Sequence, residues 1–298
     1  LSDIWETPLG YPGLVNMEDE QHKIWRRVHN ENKAVKSAIP TRTSSLRNAW
    51  KYAAILLLVM GFGYFFWMET NTVSGEAPAV AIKVERTNPL GQKSKIHLPD
   101  GSTVYLNAGS RITYLSDFNN NSRKLSLEGE AYFEVAKNPD IPFEVHTDGV
   151  VVTAVGTSFN VNAFVSKNIE SIALNTGKVK IERIDVDGSQ AVPSYLVPGD
   201  MAFFNHQSGT IELSDYKGMD PFGWKDGRIV FHHASFDQVL ETLSRWYNVE
   251  FTVEGSLRQK WNYSSTFENE VLENVLESLK FSENIDYSIN GSTIKITL

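Results

Sequence analysis

The chain contains no cysteine, which excludes a disulfide framework, a thiolate nucleophile and a cysteine-bound metal. Positive charge is also scarce, because 28 lysines and arginines face 36 acidic residues and give a formal net charge of −8. A general nucleic-acid binder needs a basic face. We therefore expect no direct nucleic-acid binding.

Recognisable catalytic motifs are also missing. No hydrolase elbow, HExxH sequence, Walker loop or dinucleotide-binding fingerprint occurs. His232 and His233 are adjacent beside a predicted strand, where neighbouring side chains point to opposite faces, so we expect no metal site there. The sequence predicts no enzyme, no cofactor and no small-molecule substrate.

One long hydrophobic run is present, from Tyr52 to Met68, with seventeen residues and no charge. At about 1.5 Å per helical residue it is near the short end of what crosses a hydrocarbon core of roughly 30 Å. Aromatic rings, which prefer the headgroup level, flank it at Trp50, Tyr52, Tyr64 and Trp67. The run predicts one transmembrane helix at residues 50–68, with a buried core helix or a signal peptide as the alternatives.

The charges around this run indicate its orientation. Eight bases precede it, whereas no base follows it before Lys83. Positively charged flanks stay in the cytoplasm. We therefore expect residues 1–49 to be cytoplasmic and the chain to continue outside the membrane, after a linker at residues 69–87.

The segment before the run has the pattern of one helix at residues 16–37. Ile24, Val28 and Val35, with Trp25 beside them, form a narrow apolar stripe. One such helix cannot bury its stripe alone, so it needs a partner protein or further helices. The chain begins with leucine, and we expect missing residues before it that would supply such helices. Alternatively, the basic helix lies on anionic lipid.

Residues 88–215 have the pattern of short strands. Apolar and polar residues alternate at Ile96–Leu98 and at Val104–Leu106, and turn residues such as Pro99-Asp100-Gly101 separate these stretches. Strands that recur roughly every 8 to 12 residues are typical of an all-β domain. This domain is either a sandwich or a solenoid-like stack, and periodicity does not distinguish the two.

Residues 222–298 contain an internal repeat with a spacing of 36 residues. Its first copy has Phe231, Val239-Leu240-Glu241-Thr242-Leu243, Phe251 and Val253, and its second has Phe267, Val275-Leu276-Glu277-Ser278-Leu279, Tyr287 and Ile289. Each copy has the pattern strand, amphipathic helix, strand. Two βαβ-type repeats predict a small α/β domain with helices over one sheet face. The predicted fold is therefore multi-domain, with one transmembrane helix, an all-β domain and this α/β domain.

Three stretches in this order resemble the periplasmic domain of the FecR family of anti-sigma factors: HLPDGSTVYLNAGSRITY, LEGEAYFEVAKNPDIPFEVHT and VVTAVGTSFNVNAF. The resemblance covers about residues 88–184. The later stretch FHHASFDQVLETLSRWYNVEFTV resembles the secretin- and TonB-N-terminus-like domain that follows in Bacteroidetes members. The transmembrane run before both fits the same layout.

This resemblance implies a bacterial inner-membrane protein with a cytoplasmic N-terminus and periplasmic C-terminal domains. Members hold an extracytoplasmic-function (ECF) sigma factor with the cytoplasmic segment. They receive a signal from the N-terminal signalling domain of a TonB-dependent outer-membrane transporter. By this resemblance, Ile24, Trp25 and Val28 would contact the sigma factor. The family's cytoplasmic domain is usually longer than the 49 residues before Trp50.

The transporter's signalling domain is expected to dock on the α/β domain, whose exposed sheet edges could pair with a partner strand. Aromatic residues near predicted loops are the candidate contacts: Trp246, Tyr247, Trp261 and Tyr263. Core packing explains each of them equally well.

The peptide bond between Gly156 and Thr157, within AVGTSFNV, matches the Gly-Thr motif at which some FecR-like proteins cleave themselves. By that resemblance, the Thr157 hydroxyl would attack the Gly156 carbonyl in an N-to-O acyl shift, and water would open the ester. Glycine lets the backbone bend and leaves no Cβ in the path. Alternatively, Gly156 marks a β-bulge and Thr157 is an ordinary strand residue.

Other classes of function also fit the predicted layout. Secretin-type repeats occur in secretion machinery, so the chain could be an inner-membrane-anchored assembly or structural module that forms homo-oligomeric rings. An envelope enzyme would need a convergent polar site, which the sequence does not reveal.

Overall fold

The structure is a computed structural model that describes residues 46–70, 81–120, 122–164, 168–184, 192–257 and 260–298. The chain divides into two compact units, Leu1–Pro78 and Ala79–Leu298. The predicted cytoplasmic helix, with Ile24, Trp25 and Val28, lies outside the described residues.

The first unit contains helix α1, Leu46–Thr70. It begins before the predicted residue 50 and ends after residue 68. Every large apolar side chain from Tyr52 to Met68 is at least 56% exposed. A helix that is apolar on all sides suits hydrocarbon rather than water. Its stretch Tyr52–Glu69 is long and apolar enough to cross a bilayer, so α1 is a candidate membrane span.

The second unit begins with strands that form two sheets. In chain order the strands are β1 (Lys83–Thr87), β2 (Ser94–His97), β3 (Thr103–Leu106), β4 (Arg111–Leu115), β5 (Arg123–Glu134), β6 (Phe143–His146), β7 (Val150–Ala154), β8 (Ser158–Ala163), β9 (Ile169–Thr176), β10 (Val179–Arg183), β11 (Ser194–Leu196), β12 (Asp200–Asn205) and β13 (Thr210–Asp215). The first sheet has the order β1-β4-β5-β6-β7-β10-β11, and the second has the order β2-β3-β5-β8-β9-β12-β13. Only β5 and β6 pair in parallel within these two sheets of the described chain.

The predicted linker at residues 69–87 extends too far. Lys83–Thr87 is strand β1, which pairs antiparallel with β4 at the edge of the first sheet. Four of its five side chains are exposed. An edge strand of this kind lacks the buried alternation that marks strands in a sequence.

The long strand β5 belongs to both sheets. Its first half pairs with β4 and β6, and its second half pairs with β3 and β8. The change occurs at Gly129, which has a φ of +94°. A Cβ at this position would collide with Ser110, whose hydroxyl accepts a hydrogen bond from the N–H of Glu130. Glycine is therefore required where the strand passes from one sheet to the other.

One hydrophobic core lies between the two sheets. The first sheet contributes Ile112, Leu127 and Val152, and the second contributes Phe133 and Val161. Each of these side chains is buried, and the alternate residues along the strands face outwards. Of the two architectures that the sequence leaves open, the structure is the sandwich.

A buried ion pair fixes two loops at one end of the sandwich. The Arg123 guanidinium lies 3.0 Å from the Asp100 carboxylate, and both side chains are fully buried. Arg123 also donates to the carbonyl oxygens of Ala136, Asn138 and Ile141, at 2.8, 2.9 and 2.6 Å. The turn after β2 and the loop after β5 are thereby joined, and four of the five N–H donors of the buried guanidinium make hydrogen bonds.

A smaller domain follows a 3₁₀ turn at Gly223–Asp226. Its elements are β14 (Arg228–Ala234), α2 (Phe236–Tyr247), β15 (Glu250–Glu254), β16 (Tyr263–Glu268), α3 (Leu272–Glu283), β17 (Asp286–Asn290) and β18 (Thr293–Thr297). A capping box begins α2, because Ser235 accepts from the N–H of Gln238 and the Gln238 side chain accepts from the N–H of Ser235. The buried side of α2 carries Val239 and Leu243.

The strand pairing of this domain differs from the prediction. β14 pairs antiparallel with β16, whereas β18 pairs parallel with β15 and antiparallel with β17. The two strands of one repeat therefore do not pair with each other, and two small sheets replace the predicted single sheet. Hydrophobic periodicity assigns strands but not their partners, which depend on contacts between residues far apart in the chain.

We expect Arg123→Met to lower the free energy of unfolding by about 3–5 kcal/mol, because it leaves the Asp100 carboxylate buried without its cation. Urea unfolding of the full chain in mild detergent, followed by tryptophan fluorescence, measures this. Arg111→Met is the matched control, since Arg111 and Glu128 form an exposed ion pair. Its effect should stay below about 1 kcal/mol. Equal effects of the two substitutions would contradict the assigned role of Arg123.

Candidate functional site

The peptide bond between Gly156 and Thr157 lies where the chain passes from β7 in the first sheet to β8 in the second. Gly156 has a φ of +152°, and a Cβ there would lie 3.0 Å from Cα of Lys137. Because a side chain would meet backbone at this distance, only glycine fits without a shift of the loop after β5.

That loop holds both sides of the peptide bond. The N–H of Asn138 donates to the carbonyl oxygen of Val155 at 3.0 Å, and the N–H of Val135 donates to that of Thr157 at 2.9 Å. The same loop is fixed from its other side by Arg123. The buried ion pair is therefore linked to the Gly156–Thr157 peptide through a few hydrogen bonds.

The Thr157 side chain is buried, with 5% exposed. Of the residues that the structure describes, Oγ1 of Thr157 is the one buried side-chain polar atom without a hydrogen-bond partner. Buried hydroxyls are normally paired, because an unpaired one costs about 1–3 kcal/mol. A register irregularity between β8 and β9 follows at Ser158–Phe159, after the position Gly156 at which the sequence placed the alternative β-bulge. Thr157 is not the strand residue of that alternative, because it lies between the end of β7 and the start of β8.

A second candidate site is the interface between the sandwich and the smaller domain. Nε1 of Trp224 donates to Oδ1 of Asn160 at 3.0 Å. The amides of Asn160 and Asn107 both donate to the Glu130 carboxylate, at 2.9 and 2.8 Å. The tryptophan of the 3₁₀ turn before the smaller domain is thereby connected to β8, to β5 and to the turn after β3.

Lys93 contacts the smaller domain from the turn before β2. Its Nζ donates to the carbonyl oxygen of Trp224 at 3.0 Å and lies 3.0 Å from the centre of the Trp246 ring. Burial lowers the pKa of Lys93 to about 8, although the negative charge of Glu130 acts in the opposite direction. The ring face of Trp246 attracts the charged form of the side chain.

Arg245 of α2 makes the third contact between the domains. Its guanidinium lies 4.1 Å from the centre of the Phe164 ring and pairs with Glu241 at 2.7 Å. Its carbonyl oxygen accepts a hydrogen bond of 2.8 Å from the N–H of Gly91. The interface therefore contains amide hydrogen bonds and cation–ring contacts.

A cavity of about 340 Å³ lies within this interface, and its lining includes Glu130, Asp220 and Arg228. The Asp220 carboxylate pairs with Arg228 at 2.7 Å, and Glu130 accepts the two asparagine amides. These charged groups already have partners within the protein.

The four aromatic residues predicted to contact a partner have different environments. Trp261 and Tyr263 are buried in the core of the smaller domain, with the Trp261 ring 4.8 Å from that of Phe236. Trp246 is half-buried beneath Lys93. Tyr247 donates to the carbonyl oxygen of Glu270 at 2.7 Å. Core packing therefore explains Trp261 and Tyr263, whose rings are not available to a partner.

The two adjacent histidines were predicted to point to opposite faces, and this is wrong. A register shift between Phe231 and Ala234 and a φ of +51° at His233 place the rings 4.4 Å apart. Nδ1 of His233 lies 2.7 Å from Oδ1 of Asn262. Within the described residues, no group of three histidine or acidic side chains could hold a metal ion.

Sequence reasoning missed Lys93, Asn160 and Trp224. The sequence contains one indication of the role of Asn160. Asn160 and Asn162 place two amides on the same side of an otherwise apolar strand. Such a pattern indicates a strand face that meets polar protein rather than core. Lys93 and Trp224 are 131 residues apart, and nothing local connects them.

Comparison with protein-family models gives two matches. The model described as FecR protein matches residues 83–181, and the model described as FecR, C-terminal matches residues 228–296. No protein with curated annotation matches the chain.

Solved structures similar to the chain include two of a candidate anti-sigma factor from Parabacteroides distasonis. The structure at 1.65 Å is 28% identical, with a TM-score of 0.64, and the match covers 72% of this chain and 98% of that one. The structure at 2.50 Å is 27% identical, with a TM-score of 0.65, and the match covers 72% and 99%.

We expect Lys93 to titrate near pH 8. Lys280 should titrate above 10.5, because its hydrogen bond to Asp286 raises its pKa. The unfolded chain binds more protons than the folded one between about pH 8 and the ordinary value of 10.5, so the contribution of Lys93 to stability rises with pH across that window. NMR of ¹³C-labelled lysines measures both midpoints. A Lys93 midpoint near 10.5 would refute the burial of its ammonium group.

Proposed function

The chain belongs to the FecR family, and from this premise we propose that it is a membrane-spanning anti-sigma regulator. In this proposal α1 crosses the inner membrane, the segment before it binds an ECF sigma factor, and the second unit lies in the periplasm. The periplasmic domains receive a signal from the signalling domain of a TonB-dependent transporter.

The observation that carries this proposal is the order of parts along one chain. A helix apolar on all sides precedes a FecR domain, and a FecR C-terminal domain follows. The similar solved structures are described as a candidate anti-sigma factor. The basic residues before α1 support a cytoplasmic N-terminus. The apolar stripe of Ile24 and Val28, with Trp25 beside it, supplies a surface for the sigma factor.

We expect a sigma factor to be recovered with the full chain from membranes in mild detergent, using a tag at the C-terminus. Val28→Asp should lower this recovery at least about tenfold, because it puts a charge into an apolar contact. Asn30→Asp, on the other side of the predicted helix, is the control and should leave recovery unchanged. Recovery of only further copies of the chain would contradict the proposal and favour the assembly module.

A second activity, self-cleavage between Gly156 and Thr157, is supported by the unpaired hydroxyl of Thr157. In this proposal Oγ1 attacks the carbonyl carbon of Gly156, the bond from that carbon to the Thr157 nitrogen breaks, and the nitrogen takes the hydroxyl proton. Water then hydrolyses the ester. The products are a carboxylate at Gly156 and a new amino terminus at Thr157, whose hydroxyl is restored.

We expect the wild-type chain to give two fragments and Thr157→Val to give one intact band. The valine should also raise the free energy of unfolding by about 1 kcal/mol, because it replaces an unpaired buried hydroxyl with a methyl group of similar size. Thr157→Ser keeps the nucleophile and should still be cleaved. Electrophoresis and N-terminal sequencing measure these outcomes. An intact band for freshly made wild type would refute self-cleavage and leave the anti-sigma proposal standing.

A further inference from the structure

The two copies of the 36-residue repeat have matching backbone conformations. His233 and Asn269 have φ values of +51° and +49°, and Asn248 and Asn284, which end α2 and α3, have values of +54° and +55°. Non-glycine residues with positive φ are uncommon, so two such pairs at one spacing show that the copies fold alike locally. Corresponding residues of α2 and α3 therefore occupy equivalent places on the two helices.

The outer side of α2 is covered by the sandwich. Arg245 lies on the Phe164 ring and its side chain is only 16% exposed. The neighbouring Trp246 lies beneath Lys93. This side of the helix is thus an interface within the chain.

The equivalent side of α3 is open. Phe281 stands 36 residues after Arg245 and is 93% exposed. It points away from the buried side of the helix, which carries Val275, Leu276 and Leu279. A single exposed aromatic residue is common on proteins and by itself indicates nothing. Phe281, however, occupies the place at which the other copy of the repeat makes its interface.

The surroundings of Phe281 are acidic. At 100° per residue, Glu273 and Glu277 lie on the same side of α3 as Phe281, and Glu270 precedes the helix. Lys280 lies beside these glutamates and pairs with Asp286 at 2.8 Å. The negative charges of these glutamates raise the pKa of two tyrosines. The hydrogen bond to Glu277 raises the pKa of Tyr287 to about 12, with a further contribution from Glu273. The pKa of Tyr247 is also raised to about 12, by burial and by the negative charges of Glu270 and Glu273. This negative potential favours a positively charged partner.

We propose that the outer side of α3, formed by Phe281, Glu277 and Glu273, is a docking surface for a basic patch on a partner protein. The partner lays an arginine or lysine on the Phe281 ring, as Arg245 lies on Phe164 within the chain. Further bases of the partner pair with the two glutamates. The inference rests on the proposed function in one respect, since the partner in that function is the signalling domain of the transporter.

The experiment places the photo-crosslinking residue benzoylphenylalanine at position 281 of the full chain in cells that contain its transporter. The same residue at position 213 is the control, because Leu213 is a 55% exposed apolar residue on β13 of the sandwich. We expect position 281 to cross-link to the transporter's signalling domain, at a peptide containing arginine or lysine, and position 213 not to do so.

Substitutions measure the strength of the contact. Phe281→Ala should lower recovery of the transporter about tenfold, since an exposed aromatic anchor is lost without change to the core. The double substitution Glu273→Gln and Glu277→Gln should lower the recovery of the transporter and make that recovery less dependent on salt. The amide oxygen introduced at position 277 can still accept the Tyr287 hydrogen bond. Leu213→Ala should leave the recovery unchanged. The thermal unfolding midpoint should be the same for all these variants.

The proposal is overturned if position 281 gives no more adduct than position 213, or gives an adduct only to a second copy of the chain. The sigma factor recovered in the same pull-down distinguishes the two failures. If the sigma factor is present and position 281 gives no adduct, only the docking surface is wrong. If no sigma factor is recovered, the proposed function fails, whatever position 281 contacts.

Discussion

The buried ion pair of Arg123 and Asp100 holds together the end of the sandwich at which the Gly156–Thr157 peptide lies. Arg123 is surrounded by carbonyl oxygens of the loop after β5, and that loop holds the backbone on both sides of the Gly156–Thr157 peptide. A guanidinium without these partners would be very costly to bury. The loop therefore has one arrangement, and Gly156 must fit against it without a side chain.

The second sheet connects this region to the smaller domain. Asn160, which accepts the indole hydrogen bond of Trp224, lies on β8, and Thr157 immediately precedes that strand. The contacts between the domains include amide hydrogen bonds and cations on aromatic rings.

The two copies of the repeat have equivalent buried residues but different outer sides. The buried residues of α2 and α3 are equivalent and fill the same core. Their outer sides differ, with Arg245 against the sandwich and Phe281 in solvent. Because outer residues contribute little to the core of the domain, they can differ between copies while the fold of each copy is kept.

The sequence alone determined the features that depend on neighbouring residues. These are the apolar run of α1, the alternation of the strands, the turn at Pro99-Asp100-Gly101, the repeat and the family motifs. Only the tertiary structure decided that β5 joins two sheets, that β14 pairs with β16, and that Trp261 and Tyr263 are core residues. It also decided that the Thr157 hydroxyl has no partner and that Phe281 is open to solvent. Burial and pairing arise from contacts between residues far apart in the chain, which no local pattern records.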